Sequence, residues 1–394
     1  MELSTGPGGR QGPGSRGRAG HPSQGVSGSQ SIQHGGHIRR LAQAAGIPPE
    51  ELLDFSASIN PLGPPPWLRD VVMQHLGDIE HYPDPECGEL VEAISARYGV
   101  SPERVVVGNG SAEIIAALPR VLPVRRALIP VPTYVDYAVA VIQAGLDVDY
   151  TLLEEEADFA LDLQSVGGLL RGGEAVFVGR PNNPTGMLCS APGLAGLATQ
   201  HPDSWLVVDE AFIEFVEEED RADDGTLLHV DEPNLIVLRS LTKLFAIPGL
   251  RLGFAVVPSD MAPLLRRTLV PWSVNALAQA VGVAALADID YVQASRAFVR
   301  EERRCLAEEL AALPALRVFP GRANYLLVKV AEGPVDAREL ARRLLRRGIA
   351  IRVCDNFDGL DGRYFRVAVR RVEENARLIE EIRPVLASGG VSLR

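Results

Sequence analysis

The residues best suited to chemistry lie in the connection between two apolar runs, the first of which covers residues 235–238. The polar residues of this connection include Ser240, Thr242, Lys243 and Arg251. Hydroxyls and a guanidinium bind phosphate, and an amine attacks a carbonyl carbon. The cluster therefore suits a phosphorylated carbonyl cofactor such as pyridoxal 5'-phosphate (PLP). Taken alone, it is explained as well by a solvated loop lysine and a surface arginine.

A second segment has the form of a phosphate-binding turn. A short apolar strand over residues 105–107 runs into Gly108, Asn109, Gly110 and Ser111, and a helical pattern follows from Ala112 to residue 121. Free backbone N–H groups and the helix dipole attract anions at such a turn. The segment fits neither the Walker nor the dinucleotide-binding pattern, and glycine-rich turns are common, so it carries little weight alone.

Apolar runs alternate with helical patterns through the first two thirds of the chain. Runs over residues 127–131, 148–153, 175–178 and 205–208 predict strands. Strands separated by helices imply a largely parallel sheet, in which ligands bind at the carboxyl ends of the strands. The residues that fall at such ends are Gly110, Asn183, Asp209 and Lys243.

Composition sets limits on the class of protein. The 394 residues carry a formal charge of −12, which argues against nucleic acid as a partner. Four scattered cysteines lack metal-ligand spacing, so no metal site is expected. No apolar stretch reaches the roughly 20 residues of a membrane helix. We therefore expect a cytoplasmic protein with no membrane partner.

The texture of the sequence predicts four regions. Residues 1–33 are rich in Gly, Ser, Pro and Arg and read as a disordered extension. An N-terminal arm over 34–63 is expected to join the small domain. Residues 64–273 are expected to form the large cofactor-binding domain, and 274–394 a smaller α+β domain.

Six motifs occur together in one order and resemble the class I/II, fold-type I PLP-dependent enzymes. They are residues 108–111, 181–186, 209–212, 240–243, 249–253 and 364–366. The resemblance implies an α/β fold: a mostly parallel seven-stranded sheet between helices, with a smaller α+β domain. It also implies a homodimer with shared active sites, in which Tyr82 crosses to the neighbouring subunit's cofactor phosphate.

The same resemblance assigns roles to individual residues. Asp209 is expected to pair with the pyridine nitrogen, and Lys243 to bond covalently to the cofactor aldehyde and to move protons. Asn183 is expected to contact the ring hydroxyl and Tyr134 to stack on the ring, although a turn residue and a core aromatic are the ordinary alternatives. The phosphate is expected to lie against Gly110, Ser111, Ala112, Ser240, Thr242 and Arg251.

Further motifs resemble the threonine-phosphate decarboxylase branch of the family, which is related to histidinol-phosphate aminotransferase. They include residues 34–36, 54–63, 238–243, 246–251, 271–275 and 320–325. The resemblance implies loss of CO2 from threonine phosphate, giving aminopropanol phosphate for cobalamin biosynthesis. A phosphorylated amino acid carries two anionic groups, which two arginines in one cleft would suit. The residues expected to bind it are His34, Gly35, Asn60, Arg352 and Arg366, and their division between carboxylate and phosphate is left open.

Two departures from the family pattern bear on the choice of reaction. Phe212 stands where many aminotransferases of this fold have a tyrosine, which favours the decarboxylase interpretation. Arg180 precedes Pro181 where a small or polar residue is usual, and it either adds charge to the site or pairs with an acidic neighbour. Histidinol-phosphate aminotransferase remains the alternative. A PLP-sensing regulator would need a DNA-binding domain that residues 1–33 are too short to form.

Overall fold

A computed structural model describes residues 34–216 and 226–387. The predicted extension over residues 1–33 lies outside this part of the chain. Within it, no helix is long and apolar enough to cross a membrane. The division into arm, large domain and small domain stays a prediction, and the description below follows the three sheets.

A seven-stranded sheet forms the centre of the molecule, with the order β2-β8-β7-β6-β5-β3-β4. Its strands are β2 (Val105–Gly108), β3 (Arg126–Val131), β4 (Asp147–Leu152), β5 (Glu174–Gly179), β6 (Trp205–Asp209), β7 (Leu235–Ser240) and β8 (Gly253–Val256). All pairs are parallel except those of β8, which runs antiparallel to both β2 and β7. The predicted mostly parallel sheet is therefore confirmed.

Both faces of the sheet are covered at its centre, which explains why β5, β6 and β7 are buried and largely apolar. Along β7, Leu235 and Val237 pack into one hydrophobic cluster. Ile236 and Leu238 pack into another on the opposite face. The alternation follows from the period of two residues in a strand.

Two smaller sheets stand beside the central one. The first has the order β12-β13-β10-β9 and is antiparallel throughout. The second joins the N-terminal arm to the C-terminal part of the chain through two short parallel strands. Their strands are β1 (Leu53–Asp54), β9 (Leu316–Val318), β10 (Tyr325–Val330), β11 (Ile349–Ala350), β12 (Arg352–Val353) and β13 (Tyr364–Ala368).

The apolar segment 349–353 is divided between the two smaller sheets. Ile349 and Ala350 pair with the arm strand β1. Arg352 and Val353 pair with β13 in the other sheet. The backbone changes partners at Ile351, because each half of the segment has a different neighbour available.

The helices pack on the outer faces of these sheets. In the described residues they are α1 (Ile38–Ala45), α2 (Leu68–Gln74), α3 (Gly88–Tyr98), α4 (Ser111–Val121), α5 (Asp136–Gln143), α6 (Leu163–Leu169), α7 (Ala191–Gln200), α8 (Leu241–Leu244), α9 (Ala262–Thr268), α10 (Ala276–Ala287), α11 (Ile289–Ala311), α12 (Ala337–Leu345) and α13 (Val372–Ala387). The one-turn helix α8 directly follows β7, and this places Lys243 at the carboxyl edge of the central sheet.

Candidate active site

A cavity of about 190 Å³ opens at the carboxyl ends of the central strands. Fourteen of the sixteen residues predicted for the site line it. They are His34, Gly35, Gly110, Ser111, Ala112, Tyr134, Asn183, Asp209, Ser240, Thr242, Lys243, Arg251, Arg352 and Arg366. Segments far apart in sequence are thus brought to one place, as expected at the carboxyl edge of a parallel sheet.

Lys243 is half-buried and lines the cavity. Burial, together with the nearby Arg366 and Arg251, lowers the pKa of its amine to about 8, while Asp209 acts in the opposite direction. A lysine with this pKa is partly neutral near neutral pH. It can therefore serve both as a nucleophile and as a proton carrier.

Asp209 ends β6 and points into the same cavity. Its Oδ2 accepts a hydrogen bond from the Tyr137 hydroxyl at 2.8 Å, and its Oδ1 accepts one from the Ala211 backbone N–H at 3.0 Å. Burial nevertheless raises the pKa of the carboxyl. A cationic N–H opposite Asp209 would offset that cost, and this is what a protonated pyridine nitrogen offers.

The residues predicted to bind the phosphate lie together around the N-terminus of α4, and their contact with a phosphate stays a prediction. The Ser240 and Thr242 hydroxyls are 2.9 Å apart. Gly110 has a φ of +79°, and a Cβ on it would come within 2.5 Å of Arg251 Nη2. Only glycine allows both this conformation and this approach of the guanidinium.

The stacking and ring-contact residues also lie in the cavity wall. The Tyr134 hydroxyl donates to Asp136 Oδ2 at 2.5 Å, and its ring meets the Tyr137 ring edge-on. Asn183 Oδ1 accepts a hydrogen bond from the Arg366 guanidinium. Their contacts with a cofactor ring stay predictions.

The predicted substrate arginines face the cavity from the small antiparallel sheet. Arg366 donates through Nη2 to the Ser56 carbonyl oxygen at 3.1 Å and lies 4.9 Å from the centre of the Tyr325 ring. Its Nε is buried and has no hydrogen-bond partner in the described part of the chain. An anionic group in the cavity would supply the missing acceptor.

The Arg352 guanidinium is positioned by residues that follow it in the chain. It lies 5.3 Å from the centre of the Phe357 ring, and Nη2 donates to Asn356 Oδ1 at 2.6 Å. Burial and the neighbouring Arg366 lower the pKa of the guanidinium. At the cavity mouth, His34 Nε2 lies 3.4 Å from Asp136 Oδ1.

Two predicted site residues lie elsewhere. The Asn60 side chain donates to the Leu244 carbonyl at 2.7 Å and to Ser295 Oγ at 2.7 Å, so it supports the loop behind Lys243 and does not line the cavity. Its assignment to substrate binding is corrected accordingly. Tyr82 is 79% exposed and stacks on Trp272, with ring centres 4.7 Å apart.

Among the residues that sequence reasoning missed in the cavity wall is Ser58. Ser58 is buried, and its Oγ has no hydrogen-bond partner within residues 34–216 and 226–387. It stands two residues before Asn60 in the same motif. The sequence offered two polar side chains there, and only the backbone path shows which one faces the cavity.

The two departures from the family pattern have structural explanations. Arg180 is completely buried and pairs with Glu210, Nη1 to Oε1 at 2.8 Å, so it does not line the cavity. Phe212 lines the cavity and packs edge-on against Tyr325, with ring centres 5.0 Å apart. It brings no hydroxyl to the site.

Comparison with known proteins places the chain in a family. The profile of the family described as aminotransferase class I and II matches residues 50–382. The chain belongs to this family, which confirms the predicted fold class and PLP as the cofactor.

Similarity to individual proteins is more specific than the match to the family. The chain is 41% identical over 357 residues to the threonine-phosphate decarboxylase of Salmonella typhimurium, covering 90% of this chain and 96% of that one. It is 34% identical over 352 residues to the adenosylcobalamin biosynthesis bifunctional protein CobDQ of Leptospira interrogans, covering 88% of this chain and 40% of that protein. The crystal structure of histidinol-phosphate aminotransferase from Clostridium acetobutylicum superposes with a TM-score of 0.80 at 28% identity, covering 86% of this chain and all of that one.

The cavity fits PLP chemically. Its lining residues include one lysine and three arginines (Lys243, Arg251, Arg352 and Arg366), and Asp209 is the one carboxylate among them. This local excess of positive charge contrasts with the acidic chain as a whole. Phosphate, aldehyde and pyridine nitrogen each meet a suitable group.

Proposed function

We propose that this chain decarboxylates L-threonine O-3-phosphate to (R)-1-amino-2-propanol O-2-phosphate in cobalamin biosynthesis, with PLP as cofactor. The observation that carries the proposal is the pair Arg352 and Arg366, which face one cavity together with Lys243. Two guanidinium groups match a substrate with both a carboxylate and a phosphate. The identity to the Salmonella enzyme supports the same assignment.

When bound, PLP supplies an electron sink for the bond broken at the substrate Cα. The residues of the chain then decide which bond breaks. By holding the two anionic groups, Arg352 and Arg366 would orient the substrate so that its Cα–carboxylate bond is the one that breaks. Lys243, which lines the same cavity, would deliver the proton that replaces CO2.

Asp209 and the phosphate cradle hold the cofactor end of the site. The Asp209 carboxylate, fixed by Tyr137 and Ala211, is available to the pyridine nitrogen. The free N–H groups at the start of α4, together with Ser240, Thr242 and Arg251, are available to the phosphate. The buried Ser58 hydroxyl is a further candidate partner for the substrate.

The deciding experiment compares two assays of the purified, PLP-loaded protein. We expect CO2 release from threonine phosphate, with aminopropanol phosphate as the product. Under the alternative, histidinol phosphate is transaminated with 2-oxoglutarate. Transamination without CO2 release would reject the decarboxylase assignment. The structural similarity to histidinol-phosphate aminotransferase is the observation that favours this second candidate.

We also infer a homodimer with shared sites. Residues 73–82 expose Met73, Ile79 and Tyr82, and Trp272 stacks on Tyr82. This apolar surface adjoins the phosphate cradle, because Ser273 donates to Glu113 Oε2 at 2.9 Å and the same oxygen accepts the Asn109 N–H at 2.6 Å. A second copy of the chain would cover the surface and bring its own Tyr82 towards the cradle.

A further inference from the structure

Ser56 makes two contacts of different kinds at the edge of the cavity. Its hydroxyl accepts a hydrogen bond from the Gly36 N–H of the N-terminal arm at 2.9 Å. Its carbonyl oxygen accepts one from Arg366 Nη2 at 3.1 Å. The residue is buried and lines the cavity. One residue thus touches both the arm and the predicted substrate arginine.

Asp54 fixes the direction of the Ser56 hydroxyl. Asp54 Oδ1 accepts hydrogen bonds from Ser56 Oγ at 2.5 Å and from the Ser56 N–H at 2.8 Å. With its proton directed at the carboxylate, the hydroxyl presents only lone pairs towards Gly36. The hydrogen bond between Ser56 and the arm therefore depends on Asp54, which is buried at the end of β1.

Gly35 presses against the same peptide group. A Cβ on Gly35 would lie 2.0 Å from the Ser56 carbonyl oxygen and 2.6 Å from its carbon. No side chain fits at that distance, so the arm can reach this position only with a glycine. The oxygen that Gly35 touches is the one to which Arg366 donates.

We propose that Ser56 is a positioning residue that joins the N-terminal arm to Arg366, so that placement of His34 and Gly35 over the cavity and orientation of the guanidinium are coupled. Gly35 then acts by permitting close contact with Ser56. This coupling extends the proposed function, because it explains how the arm and Arg366 keep fixed positions relative to each other around the substrate. The coupling depends on the proposed function only for the identity of the substrate.

Two substitutions separate the two contacts. Ser56→Ala removes the acceptor of the Gly36 N–H and leaves the carbonyl that holds Arg366. We expect hydrogen–deuterium exchange in residues 34–41 to accelerate and KM for threonine phosphate to rise about tenfold, with a smaller change in kcat. Gly35→Ala displaces the carbonyl itself, so both kcat and KM should worsen. Gly168→Ala is the matched control, because Gly168 is exposed and a Cβ on it meets nothing within 4 Å.

Exchange is measured on the PLP-loaded protein without substrate, so it tests the coupling even if the substrate is a different amino phosphate. Unchanged exchange of the arm in Ser56→Ala would overturn the proposal. So would a Gly35→Ala protein that is as active as Gly168→Ala. If Ser56→Ala does not fold, Asp54→Asn and Asp54→Ala replace it: the amide oxygen of Asn keeps the acceptor, so only the Ala variant should loosen the arm. Equal behaviour of these two variants would also reject the coupling.

Discussion

Arg366 is the residue whose charge should matter most for the proposed reaction. It is buried. Two of its nitrogens donate hydrogen bonds to Asn183 and Ser56, and Nε has no acceptor in the described part of the chain. We expect Arg366→Ala to lower kcat/KM by about two to three orders of magnitude, since a buried ionic contact is lost. Steady-state kinetics measure this, and the absorbance of bound PLP should be unchanged.

Arg363→Ala is the matched control for that variant. Arg363 lies at the start of the same hairpin, and its nearest carboxylate is 3.9 Å away on the exposed Glu332. Its removal should leave kcat/KM within a factor of two. Near-normal turnover of Arg366→Ala would show that the carboxylate or phosphate binds elsewhere.

Lys243 gives the site a defined pH dependence. The pKa of about 8 lies below the ordinary 10.5, so the amine of the cofactor-free protein becomes neutral as pH rises through about 8. Because the neutral amine is the nucleophile, the rate of covalent PLP attachment should rise with pH and level off above about 8. Stopped-flow absorbance follows the reaction.

Arg366→Ala tests the cause of this pKa. Removing a neighbouring cation stabilises the protonated amine, so the midpoint of the pH profile should move upward. A midpoint that stays in place would mean that Arg366 does not contribute to the lowered pKa of Lys243, leaving burial and Arg251 as its causes.

At the scale of elements, the loop that carries Asn60 supports the one-turn helix α8. The Asn60 N–H donates to the Lys243 carbonyl at 3.1 Å, and its side chain reaches the Leu244 carbonyl and Ser295. Asn60→Ala should cost about 2 kcal/mol of folding free energy, because buried acceptors lose their donor. Urea denaturation measures the loss, and Gln43→Ala, on the exposed side of α1, is the control. A large rise in KM with unchanged stability would restore Asn60 to substrate binding.

The sequence predicted those elements whose signals are local. The runs that end at Asp209 and before Lys243 are continuous and apolar, and the rule that ligands bind at strand ends brought both residues to one edge. Segment 349–353 shows the limit. Its apolar pattern marks extended backbone but carries no information about partners, so the change of sheet at Ile351 could not be foreseen.

Side chains within a motif were predicted less well. Ser58 and Asn60 stand on the same loop, and only the structure shows that Ser58 faces the cavity and Asn60 faces away. The role of Tyr82 is harder to predict for a different reason. Its predicted contact is with the cofactor phosphate of a neighbouring subunit, and the pattern of a single chain does not show where that subunit lies.

At the scale of the whole molecule, Glu155 links the loop after β4 to the small antiparallel sheet. It accepts hydrogen bonds from Lys329 at 2.7 Å, the Tyr364 hydroxyl at 2.7 Å and Arg317 at 3.1 Å. Burial opposes ionisation, but the bonds from Lys329 and Tyr364 prevail and lower the pKa of the carboxyl. This contribution to stability is therefore present above the ordinary pKa of 4.5 and is lost as pH falls below it.

Glu155→Gln should remove that part of the pH dependence. We expect a loss of about 1–2 kcal/mol at pH 7 and a smaller difference from the wild type near pH 4. Thermal denaturation across this range measures it. The exposed neighbour Glu156, substituted by Gln, serves as the control. A difference that does not change with pH would mean that the charge of Glu155 contributes nothing.

The proposed dimer can be tested by mixing two impaired proteins. A hybrid of Tyr82→Ala and Lys243→Ala subunits contains one intact site if Tyr82 serves the neighbouring subunit. Activity should then reappear after the two proteins are unfolded and refolded together. No recovery, despite hybrid dimers detected by mass spectrometry, would place Tyr82 at the site of its own subunit.

The change of sheet at Ile351 has a consequence for shortened versions of this protein. Strand β11 has β1 of the arm as its partner, and only Ile351 separates it from Arg352. A chain begun at residue 64 would lose more than His34 and Gly35, because the carbonyl oxygens of Gly348 and Ala350, which accept from the Leu53 and Phe55 N–H groups, would face solvent unpaired. Such an edge invites strand addition by other molecules. Truncation should therefore reveal itself first as aggregation, before any assay reports on catalysis.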